Sequence, residues 1–158
     1  MHWLKHTAAA VTAALSLHSS LAGANTVTDL WYNPQESGWG ANIVQQDDIA
    51  FVTLFVYGPD GSPQWYVAPE TRVSALGADG RPYFEGPLYK TRGAWLGGPF
   101  DPASVAATRV GTLYLSPMAN GRMRIDYDVG GIAVSKLVQR QTWRQASISW
   151  RWASLTVG

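Results

Sequence analysis

The sequence predicts an all-β protein, an antiparallel up-and-down meander of about eight strands. Two observations predict it. Short apolar runs alternate with clusters of Gly, Pro, Asn and Asp, and no segment after the first two dozen residues shows a helical period. The predicted turns are also short and consecutive. This favours a closed barrel of the avidin or lipocalin type over a sandwich, because closure removes the exposed strand edges.

The first 24 residues have the three parts of a signal peptide in the expected order. Lys5 supplies a weakly basic start, residues 8–17 are mostly apolar, and Ala22-Gly23-Ala24 gives the small-x-small pattern of a cleavage site. The apolar stretch is shorter than the ~20 residues that span a bilayer. The alternative is a frayed, alanine-rich terminal helix. We therefore expect a signal peptide at 1–24, a barrel domain at 25–143, and export to the periplasm or the extracellular space.

The composition after the predicted cleavage site excludes several kinds of chemistry. The chain has no cysteine, and its three histidines, His2, His6 and His18, all precede that site. A Ser-His-Asp triad, a thiol nucleophile and a zinc site built from His or Cys are therefore excluded from the predicted mature part. Catalysis there would need carboxylates, Tyr, Lys, Arg or a metal bound by oxygen atoms. We expect no cofactor.

The charge balance also limits the partners. The chain has 12 basic and 11 acidic residues, and loss of Lys5 with the leader leaves equal numbers. A neutral chain with scattered charges has no footprint for nucleic acid or anionic lipid. No later segment is long and apolar enough to predict a transmembrane helix. The expected partners are a small molecule, a glycan or another protein.

The strands are predicted from apolar runs bounded by turn residues. Turns such as Pro59-Asp60-Gly61-Ser62 and Gly130-Gly131 suit hairpins, because Pro presets φ and Gly accepts a left-handed conformation. In chain order the predicted strands are Trp39–Gln46, Ile49–Tyr57, Pro63–Pro69, Thr71–Leu76, Pro82–Lys90, Val105–Ser116, Arg122–Val129 and Ile132–Arg140.

Three segments allow finer predictions. Residues 122–129 alternate, so Met123, Ile125, Tyr127 and Val129 should face the core and the intervening charges should face water. Residues 49–57 are apolar on both faces, which predicts a strand covered on both sides. Residues 91–104 form a Gly- and Pro-rich loop whose aromatic side chains, Trp95 and Phe100, should fold over one end of the domain. The tail, 144–158, is predicted to add an edge strand or to be loosely held.

The densest motif is Trp31-Tyr32-Asn33-Pro34-Gln35-Glu36-Ser37-Gly38-Trp39-Gly40. Together with residues 51–65, 86–89 and 110–112, it resembles a widespread bacterial family of exported proteins with a W-x-N-P-x-x-S-G-W-G signature. The resemblance covers residues 29–143 and implies export and a compact β module. It implies no activity, because that family has no settled biochemical function.

The same motif is more weakly similar to the first strand of avidin-like barrels, which opens with Trp-Tyr-Asn and has a Ser four residues after the Asn. In those proteins the Asn and Ser side chains bind the polar head of biotin, so the similarity nominates Asn33 and Ser37. Pro34 and Glu36 depart from that pattern, and Glu36 would place a charge beside a neutral ligand head. The similarity supports the barrel topology rather than biotin binding.

The motif has a structural and a functional interpretation. In the first, Asn33-Pro34 forms a turn and the glycines let Trp39 pack on bare backbone, while Trp31 and Trp39 plug one end of the barrel. In the second, polar groups converge in an aromatic cup, as a small-ligand site requires. The candidate ligand-binding residues of that cup are Trp31, Asn33, Glu36, Ser37, Trp39, Trp65 and Tyr66.

The sequence therefore favours an exported, non-catalytic binding module with an aromatic-lined site at one barrel end. A first alternative is a carbohydrate-active enzyme that uses two carboxylates drawn from Glu36, Glu70, Glu85 and Asp101. A second alternative is a structural or interaction domain of the cell envelope. No catalytic residue and no metal ligand is assigned.

Overall fold

The computed structural model describes residues 26–142 and shows one closed antiparallel barrel. Each strand pairs with its neighbours in sequence, and the first strand also pairs with the last. A single 3₁₀ turn, Pro102–Ser104, precedes the sixth strand. The strands are β1 (Asp29–Tyr32), β2 (Gly40–Gln46), β3 (Ile49–Tyr57), β4 (Pro63–Leu76), β5 (Pro82–Arg92), β6 (Ala106–Pro117), β7 (Arg122–Val129) and β8 (Ile132–Arg140).

The predicted fold class and up-and-down closure are confirmed. The predicted signal peptide at 1–24 and the predicted tail at 144–158 lie outside the described residues. Most predicted strands agree with the structure to within two residues at each end. The main difference is that the two strands predicted at 63–69 and 71–76 are one strand, β4, with a bulge between Ala68 and Thr71. A bulge accommodates Pro69, which has no N–H to donate to a ladder.

The barrel interior is filled by side chains, as expected for about eight strands. Met123 and Ile125 are fully buried, which confirms their predicted orientation, while Tyr127 and Val129 are half-buried. On the outer face of the same strand, Arg124 pairs with Asp126 at 2.8 Å. The largest fully buried side chains are Trp31, Phe84, Ile43, Leu54, Leu88, Leu113, Leu115, Met123, Ile125, Val27, Val52 and Val138.

The prediction that residues 49–57 are covered on both sides is wrong. The face with Val52 and Leu54 is buried in the barrel, but Phe51 and Tyr57 on the other face are 44% and 57% exposed. A closed barrel of one sheet has an inner and an outer surface, and no second layer among residues 26–142 covers β3. The apolar outer face of β3 is therefore a surface feature.

Strand direction alternates around the barrel, so the connections fall into two groups. Segments 33–39, 58–62, 93–105 and 130–131 lie at one end, which we call the motif end. Segments 47–48, 77–81 and 118–121 lie at the opposite end. The Trp-rich motif therefore shares its end with the long loop 93–105.

The seam between β1 and β8 is short. Only two register pairs, Trp31↔Arg140 and Tyr32↔Gln139, join these strands. Arg140 strengthens the seam, because its guanidinium donates to the Thr28 carbonyl at 2.8 Å and to Asp29 Oδ2 at 2.9 Å. The same group lies 4.6 Å from the centroid of the Trp31 ring, which adds a cation–π contact.

Candidate functional site

The motif loop, residues 33–39, is held by its own hydrogen bonds. Asn33 Oδ1 accepts from the Gln35 N–H at 2.9 Å, and the Asn33 carbonyl accepts from the Glu36 N–H at 3.1 Å. This is the local side-chain bond that makes Asn favourable at turns. Gly38 has a φ of 102°, a conformation that L side chains rarely adopt. The Asn33 side chain and Gly38 thus shape the loop.

Gly40, in β2, is closely approached by atoms of both neighbouring strands, β1 and β3. A Cβ atom at this position would lie 2.7 Å from the Trp31 carbonyl oxygen and 2.6 Å from Phe55 Cζ. The Phe55 ring covers the bare glycine backbone from outside, as aromatic side chains do beside glycine in sheets. The final glycine of the motif is therefore required by packing.

Three side chains form a charged cluster at the mouth of the motif end. Glu36 Oε2 accepts from Trp39 Nε1 at 3.1 Å and from Lys136 Nζ at 2.7 Å. The Lys136 ammonium also lies 5.7 Å from the centroid of the Trp39 ring. Lys136 pairs in register with the fully buried Ile125, so both side chains are on the inner face of the sheet. The cluster ties the motif loop to β8 across 100 residues of chain.

The electrostatics of this cluster disfavour acid catalysis. The hydrogen bond from Lys136, together with its charge and the Trp39 N–H, lowers the pKa of Glu36. A carboxyl that ionises more readily than usual is a poor proton donor at neutral pH. Lys136 neutralises the Glu36 carboxylate, and this ion pair links the motif loop to β8.

The Trp31 side chain points away from the rest of the motif, although its backbone pairs with Ala41. Its side chain is buried, and its Nε1 donates to the Val27 carbonyl at 2.8 Å. It contributes to a surface groove with Arg81, Pro82 and Met118, which belong to the opposite end. Trp31 thus closes the far end of the barrel, and the prediction that it plugs the same end as Trp39 is wrong.

Tyr66 is an interior residue. It is 7% exposed, and its hydroxyl donates to Gln64 Oε1 at 2.6 Å. Its neighbour across the interior is Tyr127, and burial, with a smaller contribution from Tyr66, raises the pKa of the Tyr127 phenol. The two phenols belong to the packed interior.

Trp65 points in the opposite direction to Tyr66, because adjacent strand residues alternate between faces. Its indole is 62% exposed on the outer surface and is paired across the strands with Phe55, which is 38% exposed. Both rings border an open groove of about 470 Å³ near the motif end. The groove is lined by Phe55, Ser62, Pro63, Gln64, Trp65, Lys90 and Thr91.

The structure therefore does not form the predicted cup. Glu36 and Trp39 are brought together, Asn33 is half-buried in its turn, and Ser37 is exposed. Trp31 and Trp65 lie, respectively, in the far interior and on the outer surface. Both line grooves, but Trp31 is 2% exposed and Trp65 is 62% exposed, so Trp65 is the one of the two whose ring is accessible.

The sequence analysis missed four residues that shape these sites: Phe55, Gln64, Lys90 and Lys136. A signal existed for Lys136, because it interrupts the apolar series Val134, Lys136, Val138 on the inner face of β8. Phe55 carried a weaker signal as an aromatic residue on the outer side of an apolar strand. The partners of Lys90 depend on the three-dimensional arrangement of β3, β4 and β5.

The four candidate carboxylates lie in separate settings. Glu36 belongs to the mouth cluster, and Asp101 caps the 3₁₀ turn by accepting from the Ala103 N–H at 2.9 Å. Glu70 and Glu85 are exposed on β4 and β5. Within residues 26–142, no three His, Cys, Asp or Glu side chains gather to hold a metal ion.

No protein-family model, curated protein or solved structure significantly matches this chain. The resemblance of the Trp31–Gly40 motif to an exported bacterial family therefore stays a prediction. In the part of the chain that the structure describes, no helix has the length and apolar character needed to cross a membrane.

Proposed function

We propose that this protein is a non-catalytic binding module that holds a glycan in the outer groove beside Trp65. The observation that carries the proposal is the exposed indole, 62% accessible, at the edge of a groove of about 470 Å³. Exposed aromatic surface on a folded domain commonly marks an interaction site. The proposal keeps the predicted binding role and moves it from the interior to the outer surface.

The lining of the groove supports a glycan as the ligand. Trp65 and Phe55 present flat apolar faces on which the C–H face of a sugar ring can stack. Ser62 and Lys90, which carry a hydroxyl and an ammonium group, line the same groove, while the Gln64 amide oxygen accepts from the interior Tyr66 hydroxyl. A ligand with one apolar face and a rim of hydroxyls matches this combination, because a few polar groups beside an apolar wall give orientation and specificity.

The groove is held by a rigid turn. Asp60 Oδ1 accepts from the Ser62 hydroxyl at 2.7 Å and from the Ser62 N–H at 3.0 Å, and these bonds lower the pKa of Asp60. Gly61 takes the left-handed position with φ 75°. A preformed wall supports binding because less ordering is needed when the ligand arrives.

The packed interior supports an outer site. Leu54, Leu88, Leu113 and Ile125 are all 0 to 1% exposed, so the centre of the barrel is occupied by side chains. Admitting a ligand there would require displacing a close-packed core. The outer groove requires no such rearrangement.

The test is a screen of neutral and charged oligosaccharides by isothermal titration calorimetry against the purified chain. Trp65→Ala should weaken the best ligand by roughly fivefold or more, since interface Trp truncations often exceed about 1 kcal/mol. Trp95→Ala is the matched control, because that indole is 80% exposed but lies in loop 93–105, outside the groove. Equal loss in both variants, or no binding by any glycan, would refute the proposal.

A further inference from the structure

Loop 93–105 presents two large apolar side chains on a defined turn. The Gly98 N–H donates to the Trp95 carbonyl at 3.2 Å, which closes a four-residue turn with Leu96 next to its centre. Leu96 is 90% exposed and Trp95 is 80% exposed. The prediction that Trp95 folds over the end of the barrel is wrong, and so is the same prediction for Phe100, which is 65% exposed.

The loop holds these side chains in place. A Cβ at Gly97 would lie 2.6 Å from both Cε2 and Cη2 of Trp95, so the indole lies against the bare backbone of the turn. At the base of the loop, the Ser104 N–H donates to the Asp101 carbonyl at 3.1 Å and the Ser104 hydroxyl donates to the same carbonyl at 2.7 Å. The loop is therefore a preorganised protrusion whose apolar tip faces water.

Other exposed apolar side chains lie at the same end. Val105 is 54% exposed at the base of the loop, and Ile132 is 65% exposed after the 130–131 turn. A group of apolar side chains of this size at one end of a domain is typical of a surface that meets another phase or another molecule.

The charges at the motif end balance one another. Glu36 is paired with Lys136, and Lys90 contributes to the lowered pKa of Asp60. Arg92 precedes the loop and Asp101 lies within it, with opposite signs. An electrically balanced surface gains little from an anionic membrane but meets no net repulsion at a neutral one.

We propose that the Trp95–Leu96 turn inserts into the surface of a zwitterionic lipid bilayer. Trp side chains are favoured at the headgroup level of a bilayer and Leu side chains at greater depth. This matches the turn, in which Leu96 is a central residue and Trp95 is the first residue. Binding energy at a protein interface comes mainly from side chains packed in pockets. An isolated protruding turn makes few such contacts with a flat protein face, whereas a soft bilayer can deform around it. The turn can enter no deeper than the hydrated headgroup region, because backbone groups need hydrogen-bond partners.

The experiment measures partition of the full chain onto phosphatidylcholine vesicles by co-sedimentation. We expect Leu96→Ala to lower the partition coefficient by about tenfold, since each buried methylene group contributes about 0.8 kcal/mol and insertion is shallow. Leu76→Ala is the matched control: that side chain is 68% exposed but lies near the opposite end, and its loss should change nothing. Trp65→Ala should also bind vesicles normally.

Three results would overturn the proposal. One is the absence of binding to phosphatidylcholine vesicles, which would assign the turn to a protein partner. Another is equal binding by Leu96→Ala and the parent. The third is binding that appears only with added phosphatidylserine and disappears with salt, because it would show attraction by charge and not insertion.

Discussion

The three tryptophans that the motif analysis grouped together should differ sharply in their contribution to stability. Trp31 is 2% exposed and donates a hydrogen bond to the Val27 carbonyl, so Trp31→Ala leaves a large cavity and an unpaired carbonyl. Truncation of a buried Trp costs about 3 to 5 kcal/mol. Trp39 is half-buried and should cost about 2 kcal/mol, since part of its area already faces water. Trp65→Ala should stay within about 0.5 kcal/mol.

The assays are urea unfolding and thermal unfolding of the full chain, both followed by far-UV circular dichroism, with the three variants measured beside the parent. At about 3 to 4 °C per kcal/mol for a domain of this size, Trp31→Ala should lower the Tm by roughly 10 to 20 °C. The decisive result is the order of the losses in stability, with Trp31→Ala largest, Trp39→Ala intermediate and Trp65→Ala smallest. Equal losses in Trp31→Ala and Trp65→Ala would refute the assignment of one ring to the far interior and the other to the outer surface.

Four other changes test local features. Asn33→Ala should cost about 1 kcal/mol through loss of the turn bond, whereas Ser37→Ala should cost less than about 0.5 kcal/mol, both read from the urea midpoint. The pKa of Glu36 is lowered, so the pairing of Glu36 with Lys136 stabilises the fold fully at pH values above 4.5, the ordinary pKa of a Glu carboxyl. This stabilisation is lost as the pH falls through the lowered pKa. Glu36→Gln should therefore be less stable than the parent at pH 7, and the gap should close in acid. The raised pKa of Tyr127 means that stability falls as the pH rises above 10.0, and Tyr127→Phe should remove a phenol that ionises above pH 10.0 in an absorbance titration.

The order and ends of most strands could be predicted because turn chemistry and side-chain alternation are local. Residues 49–57 and 132–140 are strands with the predicted bounds, and Gly61 and Gly121 both adopt a φ of 75° in their turns. β1 was missed as a strand because its four residues are too few for alternation to appear. We predicted two strands in place of β4 because Pro69 is typical of a strand end. The structure accommodates Pro69 in a bulge within one strand.

The surfaces of the barrel were harder to predict than its strands. Apolar residues on both faces of a strand usually indicate cover on both sides, yet Phe51 and Tyr57 face water. The sequence does not reveal whether a second layer exists over the sheet. In the same way, Trp95 and Phe100 were expected to bury their area, and nothing in the loop sequence indicates that a glycine turn holds Trp95 outward.

The site was predictable only where its residues are close in sequence. Glu36 and Trp39 are three residues apart, and the motif loop brings them into hydrogen-bond contact. Lys136 joins them from 100 residues away, which requires that β8 return beside β1 to close the barrel. The backbones of Trp31 and Trp39 are close, since Trp31 pairs with Ala41, but the Trp31 indole extends back toward the Val27 carbonyl at the far end.

The packed interior confines any binding role of the described barrel to its outer surface and ends, and the motif end offers two different chemistries. The Trp65 groove combines aromatic faces with a hydroxyl and an ammonium group, whereas the Trp95–Leu96 turn is almost wholly apolar. Polar groups in the groove would be desolvated without compensation in a bilayer, and a lone apolar turn gives a glycan no hydrogen bonds. A crossed pattern, in which Trp65→Ala loses only glycan and Leu96→Ala loses only vesicles, follows from that difference. Loss of both ligands in either variant would mean that one continuous surface binds a single partner.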